Sequence, residues 1–245
     1  MKDWIEFYDG DHSIYVNARH RDVHYARLAE AFARHVPAGA ARVLDYGCGE
    51  ALHAARVADA AGKLMLAEAG PAVRGRLIAR FKDNPKIAVV STDEVAALPQ
   101  GSLDMVILHS VSQYLSGPEF DRIAALFQGL LQPSGLLLVG DVVPPAASVV
   151  SDTVALLRFG WRDGFFVAAA AGLVRTFFSD YRTLRTKMGL TRYSEQEMAG
   201  KLAALGFVAS RVQVNLGHLA TRMTFVAHKK GGGVGEIPPR PFKIY

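Results

Sequence analysis

Short, nearly continuous apolar runs alternate along this chain with longer segments in which apolar residues return every three or four positions. The runs are Val43-Leu44, Leu64-Met65-Leu66-Ala67, Ile87-Ala88-Val89-Val90, Met105-Val106-Ile107-Leu108 and Leu136-Leu137-Leu138-Val139. Runs of this length without polar alternation predict strands buried on both faces. The intervening segments, about 52–61, 71–81 and 118–131, predict helices. Regular alternation of the two implies a parallel sheet covered by helices on both sides. Ahead of the first strand, Val23, Leu28, Phe32 and Val36 mark a helix that Pro37 and Gly39 terminate. The N-terminal stretch 1–21 before it is rich in aromatic and polar side chains.

After the fifth strand the alternation stops at Pro144-Pro145, and about 45 residues carry no strand signal. It resumes with a helix near 194–205, led by Ser194 and Glu197 in capping-box spacing, and with strands near 207–214 and 220–227. Five segments follow: 1–38, an N-terminal lid and helix; 39–145, the core; 146–192, a helical insertion; 193–230, a helix and hairpin; and 231–245, a tail. Within the insertion, Leu173, Phe177, Tyr181, Leu184 and Met188 fall on one helical face. Three readings stand side by side: a helix packed on its own domain, a lid over an apolar substrate, or a peripheral membrane contact through 151–192. In the last, Trp161, Phe165 and Phe166 insert while arginines meet anionic lipid.

Charge sharpens this picture. The net charge is +5, and residues 151–192 hold seven basic residues against three acidic ones, leaving the rest nearly balanced. A basic face on the core is not indicated, which argues against a nucleic-acid binder. The single cysteine, Cys48, cannot form an internal disulfide, and residues 1–10 lack the apolar core of a secretory signal. The longest apolar run, 165–174, is half the roughly 20 residues of a spanning helix. A cytoplasmic protein is expected.

The densest functional signal is Val43-Leu44-Asp45-Tyr46-Gly47-Cys48-Gly49-Glu50, a strand ending in an acidic residue and a glycine turn. Without a Cβ at Gly47 and Gly49, backbone amides can closely approach a nucleotide-like ligand. The string resembles motif I of class I S-adenosylmethionine-dependent methyltransferases. Further matches follow in order: Glu68 at the end of the second strand, 19 residues after Gly49; Asp93-Glu94-Val95 after the third; Leu98-Pro99 and Asp104 before the fourth; and Gln132-Pro133-Ser134-Gly135 before the fifth. The resemblance covers about residues 40–141. It implies a Rossmann-like, doubly wound, mostly parallel seven-stranded α/β sheet with a terminal antiparallel hairpin, and S-adenosylmethionine as cofactor. Donor contacts carried over from the motifs are Asp45, Gly47, Cys48 and Gly49 at the turn, and Glu68 and Ala69 toward the ribose. Asp93, with Glu94 and Val95, falls toward the adenine. The family often has a third glycine where this chain has Ala51, and Leu52 stands in the third-glycine slot of a dinucleotide fingerprint, which disfavours an NAD-dependent oxidoreductase. A methyltransferase fold turned non-catalytic binding partner is a further alternative.

Methyl transfer from a sulfonium needs alignment and water exclusion more than chemical assistance, and no metal. A base helps where the acceptor carries a proton. His109, at the end of the fourth strand, is the base candidate and a cofactor contact; Tyr114, Asp141, Ser110 and Gln113 share that end of the sheet. In the N-terminal stretch, Tyr15 and Arg19 are candidates for the donor, Arg19 through its carboxylate-matching fork. His20 and His24 lack the companions of a metal site. The expected substrate is a small, partly apolar molecule. Nothing in the sequence sets the oligomeric state or the acceptor atom.

Overall fold

In the computed structural model the described residues are 2–10, 15–39, 41–177, 189–217, 219 and 221–230. Strands β1 (Arg42–Tyr46), β2 (Lys63–Ala67), β3 (Ile87–Val90), β4 (Leu103–His109) and β5 (Leu131–Val142) pair in parallel. Strands β6 (Phe207–Arg211) and β7 (Met223–Lys229) complete a seven-stranded sheet of order β3-β2-β1-β4-β5-β7-β6, with antiparallel pairs β5–β7 and β7–β6. The order reverses between β1 and β4, and a ligand crevice opens beyond their carboxyl ends.

The uninterrupted apolar runs serve two cores at once. Met105 and Ile107 of β4 pack with Leu28 and Phe32 of α2 (Ala18–Ala33), Val57 of α3 (Ala54–Ala60) and Leu77 of α4 (Pro71–Phe81). Val106 and Leu108, pointing the other way, pack with Phe120 and Phe127. Between β3 and β4 stands the short α5 (Thr92–Ala96). Phe120 and Phe127 belong to α6 (Gly117–Leu130), which starts at a Ser116–Glu119 capping box.

Several boundaries differ from expectation. An additional helix, α1 (Lys2–Asp9), docks through Asp9, whose carboxylate accepts the Ala72 and Val73 N–H groups at 2.8 and 2.9 Å and caps α4. Gly70 makes room for it, since a Cβ there would lie 2.4 Å from that carboxylate. Helix α3 starts at Ala54 rather than at the glycine turn. The terminal strands stop at Arg211 and resume at Met223, because Asn215 folds the connection inward: its side chain donates to Leu219 O and accepts from Thr224 Oγ1. That turn carries Leu216, Leu219 and Arg222 to the interior side of the sheet's end.

The insertion contains α7 (Val149–Asp163) and α8 (Phe166–Phe177), joined at Gly164 in the left-handed region. It packs on α2: His20 stacks on Phe165 at 5.0 Å, Arg27 lies 5.0 Å over the Phe159 ring, and Arg27 pairs with Asp163 at 2.5 Å. Phe165, expected at a membrane surface, is buried in this contact, whereas Trp161, Phe166 and Val167 are exposed. Tyr181, Leu184 and Met188 lie outside the described residues. The C-terminal helix α9 (Glu195–Ala204) begins at Ser194 as its spacing predicts.

Candidate active site

A cavity of about 500 Å³ opens where β1, β2, β4 and β5 end, within the size range of small-molecule sites. Its floor is the glycine elbow. Gly47 and Gly49 have φ of +73° and +57°, the left-handed region that costs a non-glycine residue roughly 1–3 kcal/mol. The elbow's amides, expected to face a ligand, turn toward the protein instead. Gly47 and Cys48 N–H both donate to Ala67 O, at 2.8 and 3.3 Å, and Gly49 N–H donates to Glu68 Oε2 at 3.0 Å. The glycines therefore provide clearance: a Cβ on Gly47 would sit 2.5 Å from Val111 Cγ2, and one on Gly49 2.9 Å from the Tyr25 hydroxyl. Gly47→Ala is expected to cost about 3 kcal/mol in denaturant unfolding, from backbone strain plus overpacking. Combining it with Val111→Ala should recover part of that loss; strictly additive losses would show that the valine contact is not the cause.

Glu68 is set by two backbone donors, Gly49 N–H on one oxygen and Gly70 N–H on the other at 2.9 Å. A carboxylate has about four lone-pair sites, so two stay available to hydroxyls of a ligand. Asp45 lies beside it without a hydrogen-bond partner among the described residues. Burial, reinforced by the Glu68 charge, pushes the Asp45 pKa up to about 7. Such an acidic floor suits a ligand with an ammonium or sulfonium and opposes a pyrophosphate.

Tyrosines roof this end. Tyr15, Tyr25 and His24 stand within 6 Å of one another ring to ring, and Tyr25 accepts Glu50 N–H at 3.1 Å. Burial raises both phenols, Tyr25 to about 12, so both stay neutral donors. Across the cavity Tyr114 packs against Trp4 at 4.4 Å and hydrogen-bonds Tyr8, two residues of α1 that sequence reading did not single out. Their signal was the aromatic spacing of Trp4 and Tyr8 on one face of an eight-residue helix.

At the other end His109 is buried against Phe32, with ring centroids 5.4 Å apart. Only glycine fits beside it at position 140, because a Cβ there would lie 2.3 Å from Nδ1. Burial lowers its pKa, Asp141 partly opposing, which keeps the imidazole neutral and able to take a proton. Ser110 and Asp141 both adopt positive φ, +58° and +61°, and Ser110 Oγ donates to Asp141 Oδ2 at 2.8 Å. Backbone strain of this kind concentrates at functional sites. Arg222 and Asp152, 2.8 Å apart, join the wall from β7's approach and from α7.

The structure thus brings Tyr15, Asp45, Gly47, Cys48, Gly49, Glu68, Ala69, His109, Tyr114 and Asp141 to one cavity. Four candidates are placed elsewhere. Arg19 is exposed and donates to Asp163 O at 2.6 Å, because the Asn17 cap orients the first turn of α2 toward the insertion. Asp93 and Glu94 are exposed on α5, Glu94 being engaged in a capping box with Ser91, and Val95 is fully buried in the core. Thr92, one residue earlier, is the member of that group on the cavity wall.

Residues 44–139 match the family model described as a methyltransferase domain. An uncharacterized methyltransferase of Mycobacterium tuberculosis and its Mycobacterium bovis counterpart are each 31% identical over 127 residues, covering 51% of this chain. The chain spans 61% of the length of these curated relatives. Among solved structures, a Burkholderia thailandensis 1,6-didemethyltoxoflavin N1-methyltransferase with bound S-adenosylhomocysteine aligns with TM-score 0.56 and 16% identity, over 94% of this chain and 86% of that one. The [4+2]-cyclase SpnF aligns with TM-score 0.55 and 16% identity, over 83% and 80%. At such identities the likeness concerns the fold. Joined to the domain match, the strand order and the glycine elbow, it means that residues 44–139 form a methyltransferase domain within a Rossmann-like seven-stranded sheet.

Proposed function

We propose that the protein binds S-adenosylmethionine and transfers its methyl group to a small, partly apolar acceptor in the cytoplasm. The observation that carries this reading is the single cavity joining the acidic elbow to the His109 end. When bound, the donor supplies an activated methyl group on a cationic sulfur, and displacement there needs no metal. Glu68 would hold ribose hydroxyls, and Asp45 would face a cationic part of the donor. Tyr15 and Tyr25 exclude water from above. Neutral His109 would accept the proton of a hydroxyl or amine acceptor, which favours a catalyst over a non-catalytic binding partner. The one cysteine, buried and unpaired, accords with a reducing compartment.

Calorimetry with S-adenosylmethionine, S-adenosylhomocysteine and NAD tests the donor assignment. The first two should bind and NAD should not. Ionised Asp45 favours an ammonium, so affinity should weaken as pH falls below about 7, by up to tenfold per unit while Asp45 takes up a proton. Tighter binding of NAD than of S-adenosylhomocysteine would reverse the assignment.

We also propose a peripheral membrane contact through α7 and α8. No helix among the described residues is long and apolar enough to cross a membrane. Yet Trp161 and Val167 are 77% and 82% exposed, Phe166 packs edge-on against Trp161, and Arg158 and Arg162 are exposed on the same helix as the tryptophan. Co-sedimentation with vesicles of equal phosphatidylglycerol and phosphatidylcholine at low salt should be lost in Trp161→Ala with Val167→Asp. Failure of the unmodified protein to sediment eliminates the contact.

A further inference from the structure

Gln113 is 8% exposed and stands on the cavity wall, and its carboxamide makes no hydrogen bond among the described residues. Unlike the neighbouring Ser112 Oγ, which is sealed in without a partner, the amide nitrogen and oxygen of Gln113 are not enclosed. Both keep accessible surface on a side chain that lines the cavity. A primary amide offers two donors and two acceptor lone pairs. Buried amides left unmatched are costly, so an open one on a cavity wall is a place for a ligand that matches it.

The side chain is set in position by its own turn. Residues Ser112–Tyr114 form one 3-10 turn after β4, in which Tyr114 N–H donates to Val111 O at 2.9 Å. From beyond the insertion, Thr191 N–H donates to Gln113 O at 2.9 Å and Thr191 Oγ1 donates to Leu115 O at 2.6 Å. Leu115 is fully buried in the core. A turn fixed on both sides leaves little ordering cost to oppose binding.

The chemistry of the amide narrows the ligand. Its oxygen wants a donor and its nitrogen an acceptor, side by side. Turning the amide over exchanges the two ends and leaves the requirement unchanged. An open-chain secondary amide is trans, which points its N–H and C=O to opposite sides. A lactam ring holds both on one edge. Aromatic side chains stand beside the turn to face such a ring: Tyr114 hydrogen-bonds Tyr8 and packs against Trp4, and all three line the cavity.

We propose that Gln113 selects the methyl acceptor, docking through paired hydrogen bonds a flat ring that carries an N–H beside a C=O. This rests on the methyltransferase reading for calling the ring a methyl acceptor, but the recognition itself is measurable without methyl transfer.

The test is equilibrium dialysis of the full chain with 2-quinolone, coumarin and naphthalene. Coumarin has the outline of 2-quinolone with a ring oxygen in place of the N–H, and naphthalene has neither polar group. 2-Quinolone should bind at least about tenfold more tightly than coumarin, which loses one hydrogen bond and sets an oxygen against the amide oxygen. Gln113→Met, similar in length and without the amide, should bring 2-quinolone within about twofold of coumarin and leave naphthalene unchanged. The ranking on the unmodified protein is diagnostic by itself, so a variant that fails to fold does not shelter the proposal. Binding of coumarin or naphthalene as tight as that of 2-quinolone, a preference that survives in Gln113→Met, or no binding of any probe overturns it. S-adenosylhomocysteine titrated into the unmodified protein reports separately on the donor end. If it fails to bind while 2-quinolone is still preferred, the donor reading falls and the Gln113 assignment stands. If it binds and displaces 2-quinolone, the ring occupies the donor's place and Gln113 is no acceptor residue.

Discussion

Glu68→Ala should weaken S-adenosylhomocysteine at least about 100-fold in calorimetry. Hydrogen bonds to a charged group contribute about 1.5–3 kcal/mol each, and two ribose hydroxyls are within the capacity of this carboxylate. Its orientation is set before any ligand arrives, since Gly49 and Gly70 N–H hold one oxygen each. Little ordering cost then opposes binding. The alanine variant also leaves those two amides without their acceptor, so loosening of the elbow adds to the loss. Glu68→Gln separates the contributions: its amide oxygen still accepts, and it should lose about tenfold at most at each contact while keeping the unfolding midpoint nearer that of the parent. Unchanged affinity in Glu68→Ala removes this residue from the donor site.

Acid should loosen the insertion. His20 is 4% exposed between Phe165, Phe159 and Tyr15, and burial lowers its pKa to about 4. In the unfolded chain a histidine titrates near 6.5. Between those values the unfolded state binds a proton that the folded state refuses, so stability is fully present above about 6.5 and declines as pH falls toward 4. The span corresponds to about 3 kcal/mol at 1.36 kcal/mol per unit. Because His20 belongs to α2 and Phe165 to the insertion, the loss is concentrated at their contact. Urea unfolding from pH 7.5 to 4.5 should show a smaller decline in His20→Phe, which keeps an aromatic partner for Phe165 but cannot titrate. Identical slopes would assign the acid sensitivity to carboxylates instead.

Much of the sheet was legible because strands buried on both faces read as uninterrupted apolar runs. Each residue of Met105-Val106-Ile107-Leu108 enters one core or the other, so the run reads as a strand from apolarity alone. Capping chemistry made the start of α9 readable at Ser194, where a side chain two atoms long decides the boundary. Glu68 could be found by its spacing from the elbow, since it directly follows Ala67, which ends β2 opposite Tyr46 at the end of β1. Arg19 was not placeable from sequence for the opposite reason. Its fork suits a carboxylate anywhere, but the direction of its side chain depends on where Asn17 begins α2 and on the insertion that meets it. The exposed positions of Asp93 and Glu94 were not legible because an acidic residue after a strand serves equally as a helix cap, as Glu94 does with Ser91.

Arg222 shows the remaining gap most plainly. In sequence it is one basic residue at the head of an apolar strand, a position normally read as facing water. Its burial comes from Asn215 folding the β6–β7 connection inward and from Asp152 approaching across 70 residues of chain. What the sequence alone determined was local or repetitive: the α/β alternation, the strong caps, the glycine elbow and the acid at a set distance from it, all governed by short-range geometry and hydrophobic period. What only the tertiary structure decided was which polar groups the protein uses up itself and which it leaves facing the cavity. That division depends on contacts between distant segments, such as the approach of Asp152 to Arg222.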